Sequence, residues 1–160
     1  MKHIQVVSTQ MVKERNFKYE YKRITCPRDI YQILRDFIGT IDREVFVMAT
    51  LDIKNNVNAL HTVSIGSLNA SIVHPRELFK VAILANAASI IIAHNHPSGD
   101  PAPSSEDLSL TQKLVEAGKL LDIPILDHIV VGDDERCYRK QHPCPCKIYD
   151  LPELSEEMPH

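Results

Sequence analysis

Hydrophobic residues in the first half of the chain follow helical spacing and then strand spacing. Apolar positions recur every three or four residues after Pro27, and Gly39 ends this segment, so a first helix is predicted here. Two apolar runs follow, 44–53 and 57–65, and the polar residues 55–56 between them are typical of a turn. The two runs therefore predict an antiparallel hairpin whose first strand is buried.

Helical and strand spacing alternate through the second half of the chain. Helices are predicted to begin at Pro75 and at Ser104, each followed by apolar residues on one face. The short apolar runs 88–93 and 124–131 are typical of strands that are covered on both faces. Because the hairpin is antiparallel and the later strands are connected through helices, we expect an α/β fold with a mixed sheet.

The two ends of the chain differ from this central part. Phe17, Tyr19 and Tyr21 alternate with charged residues, which predicts an edge strand and leaves a nucleic-acid surface as the alternative interpretation. Prolines, cysteines and acidic residues are concentrated after residue 140. We therefore expect an N-terminal strand or extension over 1–26, one domain over 27–140 and a loosely packed tail over 141–160.

Composition limits the classes of function. The net charge is −3, which argues against a chain built mainly to bind phosphate backbones. The first 35 residues nevertheless carry eight Lys and Arg against three acidic residues, so DNA is kept as a partner that is not favoured. The sequence shows no membrane-spanning stretch, no apolar leader and no disulfide-like cysteine spacing. These features favour a cytoplasmic location without membrane association.

The segment 94–107, HNHPSGDPAPSSED, carries the densest chemistry. His94 and His96 lie two apart on a predicted strand, so both imidazoles can reach one point, and Asp107 lies in the first turn of the next helix. Two imidazoles and a carboxylate form a common catalytic zinc shell. Glu44, at the start of a buried strand, is a candidate general base. The simpler alternatives are that Ser104 and Asp107 form a helix capping box and that Glu44 is a strand-end charge.

The order of these residues resembles a known signature. The pattern H-x-H, seven residues, Ser, two residues and Asp is the metal-binding signature of the JAMM (MPN+) metallopeptidases, and this chain matches it from His94 to Asp107. The chain also carries VSIGSLNASIVHPRELFKVAILANAASIIIAHNHPSGDPAPSSEDLSLT and LLDIPILDHIVVG. These segments are similar to the RadC family of bacterial JAMM-domain proteins, over roughly residues 27–139.

The resemblance implies a fold and a set of roles. The fold would be a JAMM/MPN-type α/β domain with a curved mixed sheet flanked by helices, in a cytidine-deaminase-like layering. His94, His96 and Asp107 would bind one catalytic Zn²⁺, Glu44 would act as acid and base, and Ser104 would hydrogen-bond the tetrahedral intermediate. Longer members carry a helix-hairpin-helix region, and this chain is similar to the short stand-alone type. A short final strand is expected near Arg139, which stands where the family tends to have serine.

Two further groups of residues are weaker candidates. The first could bind a second, structural zinc, although its spacing is unusual and a reduced tail without metal is favoured: Cys137, His142, Cys144 and Cys146. The second is the pair Asp127 and His128, which could orient a ligand imidazole, although ordinary packing is the commoner reason for such a pair.

Together these observations predict a zinc-dependent metallopeptidase-type hydrolase that cleaves a peptide or isopeptide bond in a protein or peptide substrate. The alternative is a module that holds zinc without catalysis and binds DNA or another protein. The substrate and the oligomeric state stay open, because no residue of the signature specifies them.

Overall fold

The computed structural model describes residues 4–19, 23–66 and 73–132, together with the backbone of 137–139. Its elements are α1 (Pro27–Ile38), β1 (Val45–Leu51), β2 (Val57–Ile65), α2 (Pro75–Leu84), β3 (Ser89–Asn95), α3 (Ser105–Leu120), β4 (Ile125–Val131) and β5 (Cys137–Arg139). The predicted α/β fold with a mixed sheet is confirmed. None of the helices in these ranges is long and apolar enough to cross a membrane.

The five strands form one sheet in the order β2-β1-β3-β4-β5. Strands β1 and β2 form the predicted antiparallel hairpin, and β1 also pairs antiparallel with β3. Strands β3 and β4 are parallel, so the chain must cross over between them, and α3 makes that connection. The short final strand expected from the resemblance is present as β5, antiparallel to β4. The crossover brings the start of α3 to the carboxyl end of β3.

The helices cover both faces of the sheet. Along β1, Val45 and Val47 pack with α1 on one face, whereas Phe46 and Met48 pack with α2 and α3 on the other. This alternation follows from the two-residue repeat of a strand. Both faces are apolar and buried, which explains why β1 is a continuous apolar run in the sequence.

An irregularity in β4 decides which of its residues face α3. Ile90 lies opposite Ile125, but the next residue, Ile91, lies opposite Asp127, so Leu126 is left without a register partner. The extra residue reverses the alternation of the faces. As a result Ile125 packs with the α2 and α3 cluster, while His128, three residues later, lies on that same face.

The structure differs from the sequence prediction at both ends of β1. The strand begins at Val45 rather than at Glu44, and it ends at Leu51. At the far end, the carboxylate of Asp52 accepts hydrogen bonds from the backbone N–H groups of Lys54 and Asn56. These bonds close a turn two residues before the apolar run was expected to end, because an Asp side chain can replace a strand partner in a turn.

The predicted edge strand near the N-terminus is not found in the described residues 4–19, and residues 20–22, which include Tyr21, lie outside the described part. The ring of Phe17 packs edge-on against Phe37 of α1, with 5.5 Å between ring centroids. Phe17 therefore joins the cluster around α1 without forming a strand. Tyr19, by contrast, is exposed.

Candidate metal centre

Three side chains meet where β3 ends and α3 begins. His94 lies on β3 with its side chain completely buried, His96 is one residue beyond the end of that strand, and Asp107 is in the first turn of α3. The parallel crossover explains this meeting, since it places the first turn of α3 over the carboxyl end of β3. The structure thus brings together the three residues that were predicted as ligands from the signature. These three side chains form the candidate metal centre, or simply the centre.

The ligand atoms have the spacing of a metal site. The Nε2 atoms of His94 and His96 are 3.0 Å apart; His94 Nε2 is 3.3 Å from Asp107 Oδ1, and His96 Nε2 is 3.3 Å from Asp107 Oδ2. Ligand atoms at about 2.0–2.1 Å from a tetrahedral zinc lie roughly 3.3–3.4 Å from one another. A cation between the three side chains would therefore need little rearrangement of the protein.

A loop holds the imidazole of His96 in a defined orientation. Its Nδ1 atom lies 2.7 Å from the backbone carbonyl of Asp100 and donates a hydrogen to it, so that Nε2 faces the centre. The loop itself is packed against Gly132: a Cβ atom there would lie 2.7 Å from the carbonyl oxygen of Gly99 and 2.9 Å from Pro101 Cδ. Glycine at this position lets the loop approach closely enough to reach His96.

Asp107 serves the helix and the centre at once. Its Oδ2 atom accepts hydrogen bonds from Ser104 N–H at 2.7 Å and from Ser104 Oγ at 2.8 Å, and Ser104 Oγ accepts one from the N–H of Asp107. This is a capping box. The other oxygen, Oδ1, faces His94. The capping box therefore coexists in the structure with the approach of this carboxylate to both histidines.

The electrostatics of the centre favour a cation. Burial alone would raise the pKa of Asp107, but the adjacent imidazoles of His94 and His96 and the backbone N–H of Ser104 hold it far below its ordinary value. The hydrogen bond to Asp107 raises the pKa of His96 in spite of burial, and the negative charge of Glu44 adds to this effect. The cluster therefore attracts positive charge, which a proton or a metal ion can supply.

Glu44 lies beside the centre and its backbone is held on both sides. It directly precedes β1 and is half-buried, and its carbonyl accepts a 2.8 Å hydrogen bond from Gly66 N–H. On the other side, Asn95 Oδ1 accepts from Val45 N–H at 2.8 Å and Asn95 Nδ2 donates to the carbonyl of Arg43 at 3.1 Å. The negative charge of Glu44 contributes to the raised pKa of His96.

The pair Asp127 and His128 is divided between the two faces of the sheet. His128 Nε2 lies 2.9 Å from His94 Nδ1, in contact with a ligand. Asp127 lies opposite Ile91, which packs on the α1 face, and its Oδ1 accepts the backbone N–H of His128. His128 is thus the member of this pair that the structure places against the imidazole of His94.

Sequence reasoning missed Asn95 and Thr111. Asn95 separates the two ligand histidines, and nothing in a strand pattern indicates that its side chain bonds the neighbouring strand. Thr111 lies four residues after Asp107, so helical spacing could have placed it beside the centre. The residues of the candidate structural zinc site lie outside the described part of the chain: the side chain of Cys137 and all of His142, Cys144 and Cys146.

Comparison with known proteins identifies the family. A family model described as "RadC-like JAB domain" matches residues 24–141. A "UPF0758 protein" of Desulforamulus reducens is 54% identical over 112 residues, which cover 70% of this chain and 49% of that protein. One from Methanosarcina acetivorans is 55% identical over 118 residues, or 73% of this chain and 52% of the relative. The chain therefore spans about half the length of these relatives. On this match, the chain belongs to the family of proteins with a RadC-like JAB domain.

Proposed function

We propose that this protein is a zinc-dependent hydrolase that cleaves amide bonds, peptide or isopeptide, in a protein or peptide substrate. The observation that supports it most is the convergence of two imidazole nitrogens and one carboxylate within 4.8 Å, beside an additional carboxylate. Three protein ligands leave a fourth position for water, as in catalytic zinc sites. A structural zinc site would instead use four protein ligands.

Each side chain has a separate role in this proposal. His94, His96 and Asp107 hold Zn²⁺, which when bound acts as a Lewis acid and lowers the pKa of a water molecule to roughly 7. Glu44 takes a proton from the attacking water and returns it to the nitrogen of the leaving amine. Glu44 suits this task, because its backbone is fixed on both sides and its negative charge acts on His96.

Ser104 is given two successive roles. In this structure its hydroxyl donates to Asp107 Oδ2, which fixes that ligand. During the reaction the hydroxyl hydrogen turns towards the oxyanion of the substrate and stabilises the tetrahedral intermediate. The backbone N–H of Ser104 stays bonded to Asp107 Oδ2 at 2.7 Å, so the ligand remains in place while the hydroxyl turns.

The first test is the metal content of the purified chain. Elemental mass spectrometry should find one zinc per chain, and His96→Ala should lose it. The matched control is His74→Ala, which removes an exposed histidine outside the centre and should keep the metal. Absence of zinc from the wild-type chain after preparation without chelators would overturn the proposed zinc site.

The second test concerns Glu44 and needs a substrate found by screening a peptide and isopeptide library. Glu44→Gln should keep the zinc and lose roughly 10²- to 10⁴-fold in kcat, the usual contribution of general acid–base catalysis. The control is Glu116→Gln, which alters an exposed acid of α3 that is hydrogen-bonded to Gln112 and has no assigned role, and it should keep its activity. Full activity of Glu44→Gln would contradict the assigned role.

The noncatalytic alternative has its own signature in the same experiments. A chain that binds one zinc, hydrolyses no member of the library and retards labelled DNA in a salt-dependent way would overturn the hydrolase. The basic first 35 residues are the part of the sequence that this outcome would implicate.

A further inference from the structure

A line of buried polar groups runs from α3 to the centre. Thr111 Oγ1 lies 2.5 Å from the backbone carbonyl of Asp107 and 2.5 Å from His128 Nδ1, and His128 Nε2 lies 2.9 Å from His94 Nδ1. The side chains of Thr111, His128 and His94 are all at least 95% buried. Buried polar groups need partners, so the hydrogens along this line must be arranged consistently.

The end of the line fixes the direction of every hydrogen bond. A backbone carbonyl only accepts, so Thr111 gives its single hydroxyl hydrogen to the carbonyl of Asp107. Its oxygen can then only accept from His128, which places the hydrogen of that imidazole on Nδ1. An imidazole with its single ring hydrogen on Nδ1 has an acceptor at Nε2, so His94 Nδ1–H donates to His128 Nε2 in this arrangement.

We propose that Thr111 and His128 are positioning residues that fix the tautomer of His94. With its hydrogen on Nδ1, His94 carries a lone pair on Nε2, the atom that faces His96 and Asp107. The opposite tautomer would point a hydrogen at the centre and would have to shift before a metal binds, which weakens binding. The inference rests on the metal site of the proposed function, but it does not require hydrolysis.

The second ligand histidine supports this interpretation. His96 also donates from Nδ1, to the carbonyl of Asp100, and also presents Nε2 to the centre. A backbone carbonyl fixes that tautomer directly, because it can only accept. His94 instead contacts another imidazole, which can accept or donate, so an additional group must decide the direction. Thr111, anchored to the carbonyl of a ligand residue, is that group.

The Thr111 pair of variants tests the proposal. Thr111→Val removes the hydroxyl at nearly constant volume, and its affinity for Zn²⁺, measured by competition with a chromophoric chelator, should fall about 10- to 100-fold. Thr111→Ser keeps the hydroxyl and should bind near wild-type strength. Nitrogen-15 NMR of the zinc-free chain should show hydrogen on Nδ1 of His94 in the wild type and in Thr111→Ser, and a mixture of tautomers in Thr111→Val.

Wild-type affinity in Thr111→Val, or hydrogen on Nε2 of His94 in the zinc-free wild type, would overturn the proposal. If Thr111→Val fails to fold, His128→Gln and His128→Phe replace it: the amide oxygen of Gln can accept from His94 Nδ1–H, so only the Phe variant should lose affinity. These measurements are independent of catalysis. The zinc affinity can be measured even if no substrate is found. The tautomer of His94 can be measured by NMR even if the chain binds no zinc.

Discussion

Asn95 lies between the two ligand histidines, yet its side chain serves the neighbouring strand. The last paired residues of β1 and β3 are Phe46 and His94. One step further, the amide group of Asn95 takes over the pairing, accepting from Val45 N–H and donating to the carbonyl of Arg43. A side-chain amide has the same donor and acceptor as a peptide group, which is why Asn can fill this place. The two peptide groups that flank Glu44 are thereby held.

Loss of this amide should affect catalysis more than metal binding. In Asn95→Ala we expect full zinc content, since the ligands lie on β3, the following loop and α3, together with a fall in kcat of roughly 10- to 100-fold, the cost of a displacement of about 1 Å. KM should change little, because the variant moves the proton-transfer group and not the substrate. Steady-state kinetics with metal analysis tests this.

The matched control for Asn95→Ala is Asn58→Ala, which removes an exposed amide bonded to the carbonyl of Ala85, on β2 and away from the centre. It should leave kcat unchanged. An unchanged kcat in Asn95→Ala would show that this amide does not position Glu44. A rise in KM as large as the fall in kcat would show the same.

At the scale of elements, the sequence predicted which segments are helices and strands better than it predicted their ends. Regular spacing placed α1, β2 and α2, because their apolar positions are local features. The beginning of β1 depends instead on Asn95, fifty residues away, which replaces a strand partner at Val45. His128 reaches His94 only because Leu126 shifts the register of β4, and no local pattern shows such a shift. The meeting of His94, His96 and Asp107 was predictable, because their order forms a signature.

The start of α1 provides a prediction about stability. The carboxylate of Asp29 accepts hydrogen bonds from Thr25 N–H, Thr25 Oγ1 and Cys26 N–H, at 2.9, 2.9 and 3.1 Å. Burial would raise the pKa of Asp29, but these bonds lower it below the ordinary value of 3.8. Because the pKa of Asp29 is lower in the folded state, the ionised carboxylate contributes its full stabilisation above about pH 4. This stabilisation is lost as the pH falls through the pKa of the folded state.

Replacing this carboxylate should therefore cost stability in a pH-dependent way. Asp29→Asn should lower the free energy of unfolding by about 1–3 kcal/mol at pH 7, the value of a cap with charge-assisted hydrogen bonds. The difference from wild type should shrink below about pH 4. Urea denaturation at several pH values measures it, with Asp36→Asn, an exposed acid of the same helix, as the control. A difference that stays constant from pH 7 to pH 3 would contradict the role of the charge.

At the scale of the whole molecule, the centre joins β3 to α3, which the chain itself connects only through a loop. His94 belongs to a strand in the middle of the sheet, whereas Asp107 belongs to the helix that crosses over that sheet to β4. A cation held by both residues joins the sheet to its α3 layer, and the unfolded chain offers no such preformed site. Binding energy at the centre is therefore expected to appear as stability of the fold.

Removal of the metal should lower the melting temperature of the chain. At a free zinc concentration of about 100 times Kd, binding to the folded state alone contributes about 2.7 kcal/mol, which corresponds to roughly 5–10 °C in Tm for a domain of this size. Differential scanning calorimetry of the zinc-loaded and chelator-treated chain tests this expectation. His96→Ala should melt at one temperature with or without zinc, because it lacks a ligand, whereas His74→Ala, altered at an exposed residue, should keep the full difference. Equal melting temperatures of the loaded and stripped wild type would mean that the three side chains do not hold a cation in the folded state.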